Sequence, residues 1–349
     1  FMSEESPIKI TENAIIQSLS ILMSSCNEKS NDIIALLMTL DFDVNAKILP
    51  RNQSLLDISS SSGSHSSIER IIAHPRFIPN KQEVKHALFS IISTNNINLM
   101  DSLLAFLNDD VNQINTNGES LLICAVALLN FNMVNKILNH HSFNPIRSML
   151  KKAFFLSLLK APNIAALFIG SNFIDINEPF QEEFSFIHGI FMNLKDSMNE
   201  FDALLGWTPL MIAGTSNDIV DLILNAPNID INRKGSNGSA PIFVALTYKH
   251  NLFDLLLQDQ RLDLNIQNNK GWTPLIDAAQ FRDFSAALKI LKSQHEIDIS
   301  IKDNNGFSAI DYFEMQKVFE DEKSIPKTKT ELIESLTKFI AREGISNIE

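Results

Sequence analysis

The residues that could carry out chemistry are few and scattered along this chain of 349 residues. Cys26 and Cys124 lie far apart in apolar stretches, where a small buried side chain is the usual role. His140 and His141 are adjacent, but on a helix they would point about 100° apart and could not share a metal ion. The sequence has no phosphate-binding glycine loop, nucleophile elbow or zinc-protease motif. We therefore predict no enzymatic activity, no cofactor and no metal ion.

The charge balance argues against two classes of partner. Asp and Glu outnumber Lys and Arg by 41 to 29, which gives a net charge of −12. Nucleic acids and anionic membrane surfaces attract clustered cations, and no such cluster occurs, so we expect neither as a partner. No stretch approaches the roughly 18 apolar residues of a membrane span, which predicts no membrane insertion. Because the two cysteines offer no disulfide framework, we expect a reducing compartment and a cytoplasmic location.

One stretch, Gly-Trp-Thr-Pro-Leu-Met-Ile-Ala-Gly from residue 206, recurs in the second half of the chain. Related stretches begin at residues 238, 271 and 306, so the intervals are 32, 33 and 35 residues. Similarity at this period indicates an array in which one supersecondary unit is repeated. A single unit has too little core to fold alone, so each must be buried against its neighbours.

The residue types within each stretch predict a pair of helices. Pro209 and Pro274 stand where the first turn would begin, because a missing N–H costs nothing there. Thr208 and Thr273 precede them and are natural N-caps. Apolar residues then recur at helical spacing in a second helix. They are Ile219, Val220, Ile223 and Leu224 in one repeat and Leu252, Phe253, Leu256 and Leu257 in the next.

The pattern Gly-x-Thr-Pro-Leu, with a second apolar helix and a closing Ile-Asp-Ile-Asn (229–232) or Leu-Asp-Leu-Asn (262–265), resembles the ankyrin repeat. The match is clear over residues 206–313 and degenerates towards the N-terminus. The resemblance implies an all-α fold, an ankyrin-type helix-turn-helix solenoid with short β-hairpin or loop connections and about eight to nine repeats. The histidine that the family carries after Thr-Pro-Leu is replaced here by Met211, Phe243, Ile276 and Asp311.

We predict a single ankyrin-repeat solenoid over residues 2–349. Its parts are an N-terminal cap or first repeat (2–50), degenerate repeats (51–177), a helical insertion or half-repeat (178–205), well-formed repeats (206–305) and a C-terminal capping repeat (306–349). Segment 178–205 leaves two interpretations open, because it breaks the period yet is apolar. It is either a degenerate half-repeat or helix packed over the solenoid, or an inserted element that shapes a binding surface.

Aromatic side chains at the variable positions of the repeats predict a protein-binding surface, since exposed aromatics are frequent interface anchors. The candidates are Trp207, Trp272 and Phe307 after the repeat glycine, and Tyr248, Phe281 and Asp277 on the inner helix. The alternative for these residues is packing on their own hairpin, on the next repeat or in the core.

Together these observations favour a non-enzymatic scaffold, a monomer, that binds a protein of unknown identity through its concave inner-helix and hairpin-loop surface. The alternative is a microbial effector or regulatory protein with an activity concealed in residues 178–205 or in the N-terminal half. A secreted effector would act in the host cytosol. The resemblance also implies asparaginyl hydroxylation at the closing asparagines, which are Asn45, Asn177, Asn232 and Asn265.

Overall fold

The computed structural model describes residues 11–25, 30–171, 173–180, 206–213, 217–236, 238–248 and 251–317. These residues form seventeen α-helices and one short 3-10 helix, with no sheet among them, so the predicted all-α fold is confirmed. Three isolated antiparallel bridges lie in loops that precede helices. They pair Ile48 with Gln53, Ile114 with Ser120 and Lys302 with Ser308. These loops are the short hairpin connections expected of ankyrin-type repeats.

The described residues fall into two compact units, and the boundary lies after Leu156. The first unit contains α1 (Glu12–Ser24), α2 (Asn31–Leu37), α3 (Leu55–Ser62), α4 (His65–Ile72), α5 (Lys81–Ser90), α6 (Ile97–Ala105), α7 (Leu121–Ala127) and α8 (Phe131–Leu138). Helix α9 (Arg147–Lys160) contains the boundary. Within this unit the inner helix α1 packs on α3 and α3 packs on α5, while the outer helix α2 packs on α4.

The second unit repeats the same arrangement. Its helices are α10 (Pro162–Gly170), α11 (Pro209–Ala213), α12 (Asn217–Leu224), α13 (Pro241–Tyr248), α14 (Leu252–Gln258), α15 (Pro274–Gln280), α16 (Phe284–Lys292) and α17 (Ala309–Lys317). The inner helices α11, α13, α15 and α17 pack in sequence, and the outer helix α10 packs on α12. Residues 318–349 of the predicted C-terminal capping repeat lie outside the described residues.

The inner helices begin where the sequence predicts. Thr273 Oγ1 accepts a hydrogen bond from the amide three residues later at 3.3 Å, and Thr208 does the same at 3.4 Å, so both N-caps are confirmed. Two replacements of the family histidine also help to cap their helices. Met211 Sδ lies 3.3 Å from the amide of Thr208, and the Asp311 carboxylate accepts from the amide of Ser308 at 2.6 Å.

Close stacking of the loops accounts for the repeat glycine. Gly271 has φ +76°, a conformation that residues with a Cβ rarely adopt. A Cβ at this position would lie 2.7 Å from the backbone nitrogen of Asn304 in the next loop. That loop is held by a bond from the amide of Asn304 to the carbonyl oxygen of Lys270 at 3.1 Å. Glycine is therefore required both by the turn and by the approach of the neighbouring repeat.

Candidate functional site

The closing asparagines connect each repeat to the next. Asn232 donates from Nδ2 to the carbonyl oxygen of Arg261 at 2.8 Å, and its Oδ1 accepts from the amide of Asp263 at 3.0 Å. The other predicted members make the same pair of bonds: Asn45 with Arg76 and Ile78, Asn177 with Asn228 and Asp230, and Asn265 with Glu296 and Asp298. We call this two-bond arrangement the asparagine clamp.

An aspartate two residues earlier orients each clamp. Asp230 Oδ1 accepts from the amide of Asn232 at 3.0 Å, the local bond by which aspartate stabilises a turn. A further clamp is made by Asn112, which is not among the predicted hydroxylation sites. It donates to the carbonyl oxygen of Ser142 at 2.8 Å and is held by Asp110 at 2.9 Å. The Asp-x-Asn spacing, which all the clamps share, is the signal in the sequence that could have found it.

Both ends of each predicted asparagine amide are therefore occupied by backbone groups of the following repeat. The bonds involve Oδ1 and Nδ2 and leave the Cβ hydrogens, the site of asparaginyl hydroxylation, unengaged by hydrogen bonding. Hydroxylation of these asparagines stays a prediction, which the intact mass of the chain after treatment with an asparaginyl hydroxylase would test.

The clamp of Asn177 connects residues on the two sides of segment 178–205. Its two bonds span 51 and 53 residues, whereas those of Asn232 span 29 and 31. The amide of Phe180 donates to the carbonyl oxygen of Trp207 at 2.9 Å, and the amide of Gly206 donates to that of Phe180 at 2.6 Å. The repeats on either side are thus direct neighbours, which argues against a half-repeat within the stack and leaves a helix packed over the solenoid and an inserted element as the two interpretations. Residues 181–205 themselves lie outside the described residues.

The two tryptophans are buried, and our expectation that they are exposed anchors is wrong. Trp207 is 6% exposed and Trp272 is 9% exposed. Trp272 Nε1 donates to Asp303 Oδ2 at 3.1 Å, in the loop of the next repeat. Packing on the next repeat, the alternative for this position, therefore describes Trp272. Between two repeats the apolar part of the tryptophan ring is buried, and its N–H still has a hydrogen-bond acceptor.

Asp303 is the polar centre of this contact. Its carboxylate also accepts from the Tyr312 hydroxyl at 2.7 Å and from the amides of Asn305 and Phe307, each at 2.9 Å. Burial would raise the pKa of Asp303, but the hydrogen bonds outweigh it and lower the pKa to about 2. Asp303 thus remains ionised at neutral pH and joins the Trp272 loop to α17.

Around Asp303 the aromatic side chains form one connected group, which we call the aromatic cluster: Trp272, Phe281, Tyr312 and Phe307. The Phe281 ring meets Trp272 edge to face, with ring centroids 5.9 Å apart at 80°. Phe307 and Tyr312 meet in the same manner, also at 5.9 Å. The two ends of the cluster remain open to solvent, since Phe281 is 68% exposed and Phe307 is 37% exposed. The structure therefore brings together residues that the sequence placed in separate rows.

Asp277 lies beside this cluster on α15 and is 9% exposed. Burial raises its pKa to about 6, and the positive charge of Lys270 opposes that shift. The Lys270 ammonium lies over the Trp272 ring, with Nζ 4.2 Å from the ring centroid. Asp277 is thus ionised at neutral pH even though little of it is in contact with water.

Tyr248, the remaining candidate, is the last residue of α13. It stands one repeat before Phe281 at the corresponding position, but its side chain is outside the part of the chain that the structure describes. Its role at the surface stays a prediction.

The residues with reactive side chains lie apart from this surface along the chain. Burial, followed by the charge of Glu119 and a hydrogen bond to it, raises the pKa of Cys124 to about 12, which keeps the thiol protonated. His140 and His141 stack with ring centroids 4.4 Å apart. In the described ranges no group of three or more His, Cys, Asp and Glu side chains could hold a metal ion. No helix in the same ranges is long and apolar enough to cross a membrane.

Comparison with known proteins finds similarity at the level of solved structures. No protein-family model and no curated protein matches the chain. The ankyrin repeat domain of Bcl-3, a member of the IkappaB protein family, has a TM-score of 0.49 at 16% identity, covering 66% of this chain and 97% of its own. The ankyrin repeat protein EF0377 has a TM-score of 0.36 at 20% identity, with 72% and 96% covered. The human ASB11 ankyrin repeat domain has a TM-score of 0.44 at 15% identity, with 71% and 96% covered.

Proposed function

We propose that this chain of ankyrin-type repeats is a non-enzymatic scaffold that binds a protein partner through the inner-helix and loop surface of its last two described repeats. The observation that carries the proposal is the aromatic cluster, in which Phe281 and Phe307 stay exposed while the residues between them are fixed. Aromatic side chains are enriched at protein interfaces, and those that a partner desolvates completely can carry much of the binding energy.

Preorganisation is the physical reason to prefer this surface. Association costs free energy for each flexible side chain that it immobilises. Phe281 is already in contact with the Trp272 ring, and Trp272 is tied to Asp303 by a hydrogen bond. A partner that covers Phe281 would therefore gain apolar burial with little further loss of side-chain entropy. In this proposal Trp272 acts as the support of the binding surface.

The other residues predicted to bind the partner would extend or support this surface. Tyr248 would extend the surface by one repeat towards the N-terminus, and Asp277 would supply a negative charge beside Phe281. Trp207 is also buried, and in this proposal it would support the surface of its own repeat as Trp272 does in a later repeat.

The proposal is tested with a double variant, Phe281→Ala with Phe307→Ala, immobilised beside the wild-type chain in a lysate of the cells that naturally produce it. Proteins captured by each are quantified by mass spectrometry. We expect at least one protein to be captured by the wild type and reduced about tenfold or more by the double variant, which corresponds to about 1.4 kcal/mol of binding free energy.

A matched control is Phe131→Ala, because Phe131 is 38% exposed but lies in the first unit. This variant is expected to retain the captured protein. If the double variant keeps its helical circular dichroism and captures the same proteins in the same amounts as the wild type, the surface is not the binding site.

A further inference from the structure

Asp277 is a charged residue at an inner-helix position that is apolar in the preceding repeats. The corresponding inner-helix positions of the two preceding repeats hold Ile212 and Val244, which are both buried. Asp277 is also buried, yet in the described part of the chain no hydrogen-bond donor and no cation within 4.0 Å reaches its carboxylate. Lys270, the cation that acts on its pKa, lies over the Trp272 ring. A buried, ionised and unpaired carboxylate is costly, so its presence needs a reason outside the packing of the repeat.

The carboxylate is still accessible from the surface. Among the described residues, the polar side-chain atoms that are sealed from solvent without a partner belong to Ser59, His65 and Ser293, and not to Asp277. Part of the carboxylate surface is therefore open to solvent and to a group supplied by another molecule. Because the site is partly desolvated, a positive charge placed there would interact more strongly than with a carboxylate on the open surface.

Phe281 defines the shape of the group that would fit. It directly follows α15, four residues after Asp277, and its amide donates to the Asp277 carbonyl oxygen at 3.1 Å, so the helical spacing continues and the two residues lie on the same side of the helix end. An exposed ring beside a carboxylate suits a planar cation, which can make two parallel hydrogen bonds to the carboxylate and stack on the ring. Guanidinium has this geometry, whereas an ammonium group is a compact point charge.

We propose that Asp277 and Phe281 form a receptor for an arginine side chain presented by the protein partner. The proposal deepens the protein-binding function given above and rests on it. The net charge of −12 is consistent with a partner that presents cations. A bound metal ion is a poorer fit, because a single carboxylate supplies too few ligands and no additional acidic or histidine ligands complete a site in the described ranges.

The test uses defined probes, so it does not depend on knowing the partner. N-acetylarginine N-methylamide, its lysine analogue and its neutral citrulline analogue are titrated into the full chain at pH 7.5. Nuclear magnetic resonance follows the Phe281 ring and the Asp277 carboxyl carbon. We expect saturable shifts of both signals with the arginine compound in the millimolar range, and affinity lower by about tenfold or more for the lysine and citrulline compounds.

Two variants complete the experiment. Asp277→Asn removes the charge at the same size and is expected to weaken binding of the arginine compound about tenfold or more. Asp221→Asn removes an exposed charge from the outer helix α12 and is expected to leave binding unchanged. Equal binding of the citrulline or lysine compound, unchanged binding by Asp277→Asn, or no saturable shift would each overturn the proposal. Loss of capture by the Phe281 and Phe307 double variant would then still support the scaffold function.

Discussion

At the scale of single residues, Asp277 should cost the folded chain stability at neutral pH. Its pKa is raised to about 6 by burial, whereas an unfolded aspartate titrates near 4. The folded state therefore holds the proton more tightly, so the contribution of Asp277 to stability is full below about pH 4 and is lost as the pH rises through about 6. The corresponding cost at neutral pH is of the order of 3 kcal/mol.

The first prediction is that Asp277→Val stabilises the protein at pH 7.5. Valine is the residue at the corresponding position of the preceding repeat, Val244, where it is buried. We expect the free energy of unfolding to rise by about 1 to 3 kcal/mol at pH 7.5, and the difference from wild type to shrink by pH 4. Urea unfolding at both pH values measures this. A variant that is less stable than wild type at pH 7.5 would contradict the cost assigned to the carboxylate.

Asp303 should act in the opposite direction, because its pKa is lowered to about 2. Its contribution is fully present above the unfolded pKa of about 4 and is lost as the pH falls through about 2. We therefore predict that Asp303→Asn lowers the free energy of unfolding by about 2 kcal/mol at pH 7 and by less at pH 3. Asp221→Asn is the matched control. An equal loss for Asp303→Asn at both pH values would show that the ionised carboxylate is not the stabilising group.

At the scale of structural elements, the asparagine clamp stabilises the contact between repeats. Asn232→Ala removes both bonds to the following loop, to Arg261 and to Asp263. Because the site is half-buried, water can hydrogen-bond to part of the backbone groups that lose their partner. We therefore predict a loss of about 1 to 2 kcal/mol in the free energy of unfolding. Hydrogen exchange should also become faster at the Asp263 amide.

Gln260→Ala is the control for the clamp prediction. Gln260 is exposed in the same connection, and in the described part of the chain its side chain makes no hydrogen bond. This variant should have the stability of the wild type. If the free energy of unfolding falls equally in the two variants, the clamp bonds do not stabilise the contact between repeats.

At the scale of the whole molecule, the described residues on either side of segment 181–205 contact each other directly. The backbone bonds between Phe180 and residues 206 and 207, together with the clamp of Asn177, hold the flanking repeats together. We predict that replacing residues 181–205 by about six Gly and Ser residues leaves the helical circular dichroism of the flanking repeats intact and changes the free energy of unfolding by less than about 2 kcal/mol.

This replacement also tests whether the segment is a half-repeat within the stack. A half-repeat within the stack would carry buried surface on both faces, so its removal would unfold the neighbouring repeats. An inserted element would be dispensable for folding. Loss of cooperative unfolding in the shortened chain would therefore contradict the prediction.

The sequence by itself determined the repeat, its period and the ends of its helices, because these depend on local chemistry. Proline in the first turn, threonine before it and glycine at the turn act over a few residues, and Thr208, Thr273 and Gly271 do in the structure what their types require. The Asp-x-Asn closure is equally local, which is why most of the asparagines that form clamps could be identified as closing residues from the sequence.

Only the tertiary structure decided which aromatic side chains are exposed. Trp272 and Phe307 follow the same glycine in successive repeats, yet one is enclosed by the next loop and the other is not. Burial depends on what the following repeat places against a side chain, here Asp303, and no spacing within one repeat carries that information. The pairing of Asp277 with an exposed ring arises for the same reason, because the environment of the carboxylate is set by its neighbours in space.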